Sequence, residues 1–209
     1  MKHILVYGDS LAWGSNPKTW KRYDYEDRWT TVMQRELGGE YEVITEALSG
    51  RTTCWDLPHL PYRNGAESLP MILESHRPLD LVIVMLGIND LNSCLNKTAE
   101  DSAAGLFAIL RRIYFSASSP EEKCPKILVI APPVMRNLSE FMDILYSRGR
   151  EESLKLPALY KTVCERFGCM FIDSNEFARA GDTDGLHFDI DTNHVFGKRI
   201  AEEVKKIFA

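Results

Sequence analysis

The 209-residue chain reads as an α/β protein: a three-layer α/β/α sandwich built on a central parallel sheet of about five strands. Two observations predict this. The first is a series of short, uniformly apolar runs, the clearest being Leu81–Leu86. A strand apolar at every position is buried on both faces, which is the habit of a parallel sheet covered by helices. The second is that several of the stretches between these runs repeat apolar residues at three- and four-residue spacing, as helices do. Composition agrees, since 44% hydrophobic and 26% charged residues are ordinary globular values. The length fits one domain over 1–209.

Taken in order, His3–Tyr7 is the first strand, ended by Gly8. Trp29–Leu37 is a helix with Trp29, Val32, Met33 and Leu37 on one stripe. Glu42–Ala47 and Leu81–Leu86 are the second and third strands. Glu100–Phe115 is a helix striped by Ala103, Leu106, Phe107, Leu110 and Tyr114. Lys126–Ala131 is the fourth strand, stopped by Pro132 and Pro133. Pro132–Leu156 has no single period and is too long for a plain turn, so it reads as a lid or an oligomer contact. Cys169–Asp173 is a shorter fifth strand. Phe196, Ile200, Val204, Ile207 and Phe208 stripe a C-terminal helix, with Asp191 or Thr192 as its N-cap.

Charge and composition exclude several function classes. A net charge of −5 disfavours nucleic acid, whose phosphates need clustered Lys and Arg. The longest apolar run, Leu81–Ile88, falls far short of the ~20 residues of a membrane span. The segment MKHILVYGDS lacks the long apolar region and cleavage site of a signal peptide. Five cysteines without a C-x-x-C pair read as free thiols of a reduced, cytoplasmic protein. No His/Cys/Asp cluster has zinc spacing, so neither metal nor cofactor is expected.

Ligands of open parallel sheets bind beyond the carboxyl ends of the strands. There the chain offers Gly8-Asp9-Ser10-Leu11, Ser49-Gly50-Arg51, Gly87-Ile88-Asn89-Asp90 and Asp184-Gly185-Leu186-His187. A serine hydroxyl needs a base to become a nucleophile, and the base needs an orienting partner. Ser10 stands where a strand turns into a helix, whose N-terminus favours developing negative charge. His187 is a candidate base, and Asp184 a candidate for holding its far ring nitrogen. The Ser10 and Gly50 amides and the Asn89 side chain are three candidate oxyanion donors. Trp13, three residues after Ser10, lies one helical turn on and is a candidate wall of the acyl pocket, with core packing as the alternative. Each motif alone is weak. G-D-S-L is also a helix N-cap pattern, and D-x-x-H occurs twice, at Asp184–His187 and Asp191–His194.

Together, G-D-S-L at 8–11, Gly50, G-I-N-D at 87–90 and D-G-L-H at 184–187 resemble the four blocks of the SGNH, or GDSL, hydrolases. The resemblance implies a flavodoxin-like central sheet and a serine esterase: Ser10 as nucleophile, Asp184 and His187 completing a triad, and Ser10, Gly50 and Asn89 as oxyanion donors. Trp13-Gly14, Arg28-Trp29, L-S-G-R-T-T at 48–53 and D-G-L-H-F at 184–188 are similar to the bacterial arylesterase and acyltransferase branch. That branch implies small aryl and alkyl ester substrates, acyl transfer to alcohols or peroxide in some members, and homo-oligomers in some. Three rivals stand beside this reading. One is a carbohydrate O-deacetylase with the same triad, its sugar held by Trp13, Trp55 and Tyr62, which could equally line an aryl pocket. Another is a flavodoxin-like binding module, although Asp9 would repel a phosphate in the first loop. The third is a degenerate, non-catalytic scaffold.

Overall fold

The computed structural model describes residues 1–209. In chain order it contains β1 (Lys2–Gly8), α1 (Ser10–Trp13), α2 (Trp29–Leu37), β2 (Tyr41–Ala47), α3 (Gly65–His76), β3 (Leu81–Met85) and α4 (Ala99–Tyr114). These are followed by β4 (Lys126–Ala131), α5 (Glu140–Leu145), α6 (Gly149–Ser153), α7 (Leu156–Phe167), β5 (Met170–Asp173) and α8 (Ile190–Phe208). The five strands form one parallel sheet in the order β2-β1-β3-β4-β5. The chain builds outward from β1 to β2, then returns to the other side of β1 to lay down β3. The strand order therefore reverses between β1 and β3, and the crevice beyond their carboxyl ends is the place where such sheets bind ligands.

The alternation of side chains along each strand divides the core in two. Leu5, Tyr7, Val82, Val84, Ile127 and Val129 face α3, α4 and α7, where they meet Leu69, Leu106, Leu110 and Tyr160. Ile4, Val6, Leu81, Ile83, Leu128 and Ile130 face α2 and α8, against Trp29, Met33, Phe196, Ile200 and Val204. Each such fully buried side chain stabilises the fold by about 1.5–3 kcal/mol relative to exposure. Trp29 has no exposed surface, and its indole N–H donates to the Leu11 carbonyl at 3.1 Å. Packing of α2 thus fixes the short turn that carries Ser10.

The strands fall where the sequence sets them, within one residue at either end. Helices α3 and α7 were not foreseen. Pro70 interrupts the α3 pattern, although Ala66, Leu69, Ile72 and Leu73 are buried along one face. In α7 only Leu156, Tyr160 and Cys164 are buried, a stripe too narrow to stand out, and a proline sits in its first turn. The C-terminal helix starts at Ile190, and its N-cap is Asp189 rather than Asp191 or Thr192. The Asp189 carboxylate accepts the Thr192 N–H at 2.7 Å, the bond an N-cap makes to the third helical residue.

The stretch 132–156 folds into α5, α6 and their flanking loops. Met135, Met142 and Tyr146 anchor it in the core, whereas Phe141, Ile144 and Leu154 stay exposed. Its start also holds another loop in place: the Arg136 and Ser139 N–H groups donate to the Gly185 and Asp184 carbonyls at 2.9 and 3.2 Å.

Candidate active site

Ser10 follows β1 directly. Asp9 caps α1, its Oδ1 accepting the Leu11 N–H at 3.0 Å, while the Trp13 N–H donates to the Asp9 carbonyl at 2.8 Å. α1 is a single four-residue turn. A macrodipole grows with the number of aligned peptides, so what Ser10 offers is its own N–H rather than a strong helix field.

Ser10, Asp184 and His187 are 4%, 2% and 6% exposed and lie in one hydrogen-bonded line. His187 Nε2 is 2.9 Å from Ser10 Oγ, and His187 Nδ1 is 2.6 Å from Asp184 Oδ2. The local sequence makes the second contact almost unavoidable. Asp184 Oδ1 accepts the N–H groups of Leu186 and His187, both at 2.9 Å, which curls the loop back on its own carboxylate. Gly185 permits the turn with φ +79°, and a Cβ there would overlap the Arg136 carbonyl. Burial acts to raise the Asp184 pKa, but the hydrogen bond and charge of His187, with the two N–H groups, outweigh it and hold the carboxyl below its ordinary value. Asp184 is therefore an anion at neutral pH. It keeps the proton of His187 on Nδ1, leaving Nε2 as the lone-pair acceptor for Ser10 O–H.

Gly50 and Asn89 come from the loops after β2 and β3. Gly50 has φ +79°, and its N–H makes no hydrogen bond within the chain. The loop is tied down by Arg51, whose Nη1 donates to the Gly8 carbonyl at 3.0 Å while the guanidinium lies 4.2 Å from the Tyr7 ring centre. Arg63 Nε adds a bond to the Ser49 carbonyl at 3.0 Å. Asn89 is 4% exposed. Its Nδ2 donates to the Arg51 carbonyl at 3.1 Å and, more weakly, to Asp9 Oδ2 at 3.3 Å. Its Oδ1 accepts from the Tyr146 hydroxyl at 2.8 Å.

Two further buried carboxyls hold this floor together. Asp90 takes the Thr53 N–H at 2.8 Å, the Thr53 hydroxyl at 2.6 Å and the Ser102 hydroxyl at 2.8 Å, stitching the Gly50 and Asn89 loops to α4. Burial pushes its pKa up to about 7, with those hydrogen bonds opposing the rise. Burial likewise pushes Asp9 up to about 6, against the Leu11 N–H and the charges of His187 and Arg51.

The second D-x-x-H pair does not join the cluster. His194 Nε2 lies 3.0 Å from Asp27 Oδ1, and Asp191 is exposed. The half-buried Trp13 lies under Arg22, whose guanidinium is 5.2 Å from the ring centre and whose Nε donates to the Trp13 carbonyl. The aromatic ring set against His187 is that of Trp20, edge-on at 6.5 Å between centroids, with Phe141 a further 5.8 Å away. Trp20 is 57% exposed and holds φ +58°, a conformation uncommon for a bulky residue. In the sequence Asp9 reads as a candidate helix N-cap, and Arg51, Asp90, Tyr146 and Trp20 carry no assigned role. The first three sit beside the motif residues, a signal that was present. Tyr146 and Trp20 carried none.

The arrangement can deprotonate a serine and meet negative charge with N–H donors, which is acyl-transfer chemistry. Comparison with known proteins agrees. Residues 6–194 match the GDSL-like lipase/acylhydrolase family. The structure of an inhibitor-bound aryl esterase from M. smegmatis is similar at 34% identity and a TM-score of 0.94, covering 99% of each chain. Est24, a carbohydrate acetylesterase from Sinorhizobium meliloti, is 36% identical with a TM-score of 0.94, covering 99% of this chain and 100% of its own. No match was found among curated proteins. With its five-stranded parallel sheet and its ordered blocks, the chain belongs to the GDSL-like lipase/acylhydrolase family and is a serine ester hydrolase.

Proposed function

We propose that the chain hydrolyses small aryl and short-chain acyl esters through an acyl-enzyme on Ser10. The observation that carries this reading is the unbroken Asp184–His187–Ser10 line beside the unpaired Gly50 N–H and the Asn89 amide. Ser10 Oγ attacks the ester carbonyl carbon as His187 Nε2 takes its proton. The carbonyl oxygen becomes an oxyanion held by the Ser10 N–H, the Gly50 N–H and Asn89 Nδ2, whose long contact to Asp9 is the one that gives way. Collapse breaks the bond to the alcohol, which leaves with the proton from His187. Water, deprotonated by His187, then releases the acid from Ser10. An alcohol or peroxide in place of that water gives acyl transfer.

Asn89→Ala tests the oxyanion assignment. It is expected to lower kcat by about 10²–10³, with a smaller change in KM, because such a donor acts mainly in the transition state. Steady-state kinetics on phenyl acetate decide it, and an effect confined to KM would make Asn89 an ordinary substrate contact.

His187 protonates the leaving oxygen, so rings packed against it meet the alcohol half of the ester. Trp20 and Phe141 are the proposed platform for that half, and Trp13 the proposed limit on acyl length. A panel of methyl acetate, phenyl acetate and phenyl octanoate checks both. Trp20→Ala is expected to lower kcat/KM for phenyl relative to methyl acetate by about tenfold or more, the range of apolar pocket discrimination. Trp13→Ala is expected to favour octanoate relative to acetate. Ratios unchanged in either variant would remove that residue from the pocket.

A second reading, a sugar O-deacetylase, draws on the exposed face of Trp20, on which a sugar ring could stack, and on the likeness to Est24. Adding acetylated xylose to the panel separates the two. No helix is long and apolar enough to cross a membrane. The five free cysteines support a reducing, cytoplasmic setting. The exposed Ile144 and Leu154 support association of copies.

A further inference from the structure

We infer that Tyr146 is a positioning residue for Asn89, fixing the tilt of the amide that serves as oxyanion donor once the Arg51 carbonyl has selected its orientation; the inference rests on the oxyanion role proposed above. An asparagine amide has two near-isosteric orientations, 180° apart, and only one presents N–H groups to a substrate oxygen. At Asn89 the neighbours decide between them. One end of the amide faces the Arg51 carbonyl at 3.1 Å, which can only accept, and Asp9 Oδ2 at 3.3 Å. That end must be Nδ2. The other end, Oδ1, therefore faces Tyr146, and the phenol must be the donor in the 2.8 Å bond.

This bond completes the polar shell of Asn89. Tyr146 is 6% exposed, so water does not readily replace its hydroxyl. Donation into Oδ1 also draws electron density from the amide, which strengthens Nδ2–H as a donor. The hydroxyl arrives from the end of α5, where the Tyr146 N–H donates to the Met142 carbonyl and the ring packs in the larger core beside α6. The stretch 132–156 thus touches the site twice: its start holds the Asp184–Gly185 turn, and Tyr146 holds the oxyanion donor. Without the phenol the amide keeps its place in the chain but loses the contact that fixes its tilt.

Tyr146→Phe removes the hydroxyl and keeps the ring, so the core packing is retained, which a melting curve checks. The expected result on phenyl acetate is a fall in kcat of about 10–100-fold, on the scale of small misplacements of catalytic groups, with KM nearly unchanged. The same change made in Asn89→Ala separates positioning from a general structural role. If Tyr146 acts through Asn89, the second substitution costs nothing further. An equal fractional loss in both backgrounds would overturn the inference, as would unchanged kcat in Tyr146→Phe while Asn89→Ala is impaired. If Asn89→Ala itself retains full kcat, the oxyanion reading falls and the inference with it.

Discussion

Ser10→Ala is expected to lower kcat on phenyl acetate by at least about 10⁴-fold while the protein stays folded, because loss of a nucleophile leaves only binding and oxyanion stabilisation. The folded state should tolerate the change. Ser10 is buried and its hydroxyl makes one hydrogen bond, to His187. Removing it costs about 1 kcal/mol, a small part of a domain's stability. Circular dichroism and melting curves check the fold, and single-turnover assays check the residual rate. A fall of less than about tenfold would remove Ser10 as nucleophile.

The paired substitutions His187→Ala and His194→Ala have the next largest contrast. His187→Ala is expected to be nearly inactive, since no other base lies within reach of Ser10 Oγ. It also takes the imidazole hydrogen bond from the buried Asp184 carboxylate, though the Leu186 and residue-187 backbone N–H groups still bond it. His194→Ala loses only a partly exposed contact with Asp27, worth about 1 kcal/mol or less, and should keep near-normal turnover. The two variants assayed side by side control for each other, because both remove an imidazole from a histidine–aspartate pair. The reverse result would move the base to α8 and undo the assignment of the 184–187 loop.

How far the sequence carried these conclusions depended on how local the determining forces were. The strands were legible because parallel strands buried on both faces have no polar positions to obscure them, as in Leu81–Met85. The Asp184–His187 contact was legible because one turn encodes it, with the carboxylate accepting backbone N–H groups two and three residues ahead. Helix α3 was hidden by Pro70, which removes one helical hydrogen bond that packing of Leu69 and Leu73 outweighs. The contact of Tyr146 with Asn89 spans 57 residues and ends in a segment with no hydrophobic period. Trp20 reaches His187 only through a turn that holds it at positive φ. Neither spacing nor composition encodes such meetings; they follow from tertiary packing.

The central claim, that esters react at Ser10, is tested most directly by covalent labelling. The protein is incubated with diethyl p-nitrophenyl phosphate, and residual esterase activity and intact mass are followed together, with peptide mapping at the end. Activity should fall in proportion to a single diethylphosphoryl adduct on the peptide containing Ser10, and Ser10→Ala should take up none. Loss of activity with the adduct on another residue, while Ser10 stays unmodified, would contradict the account.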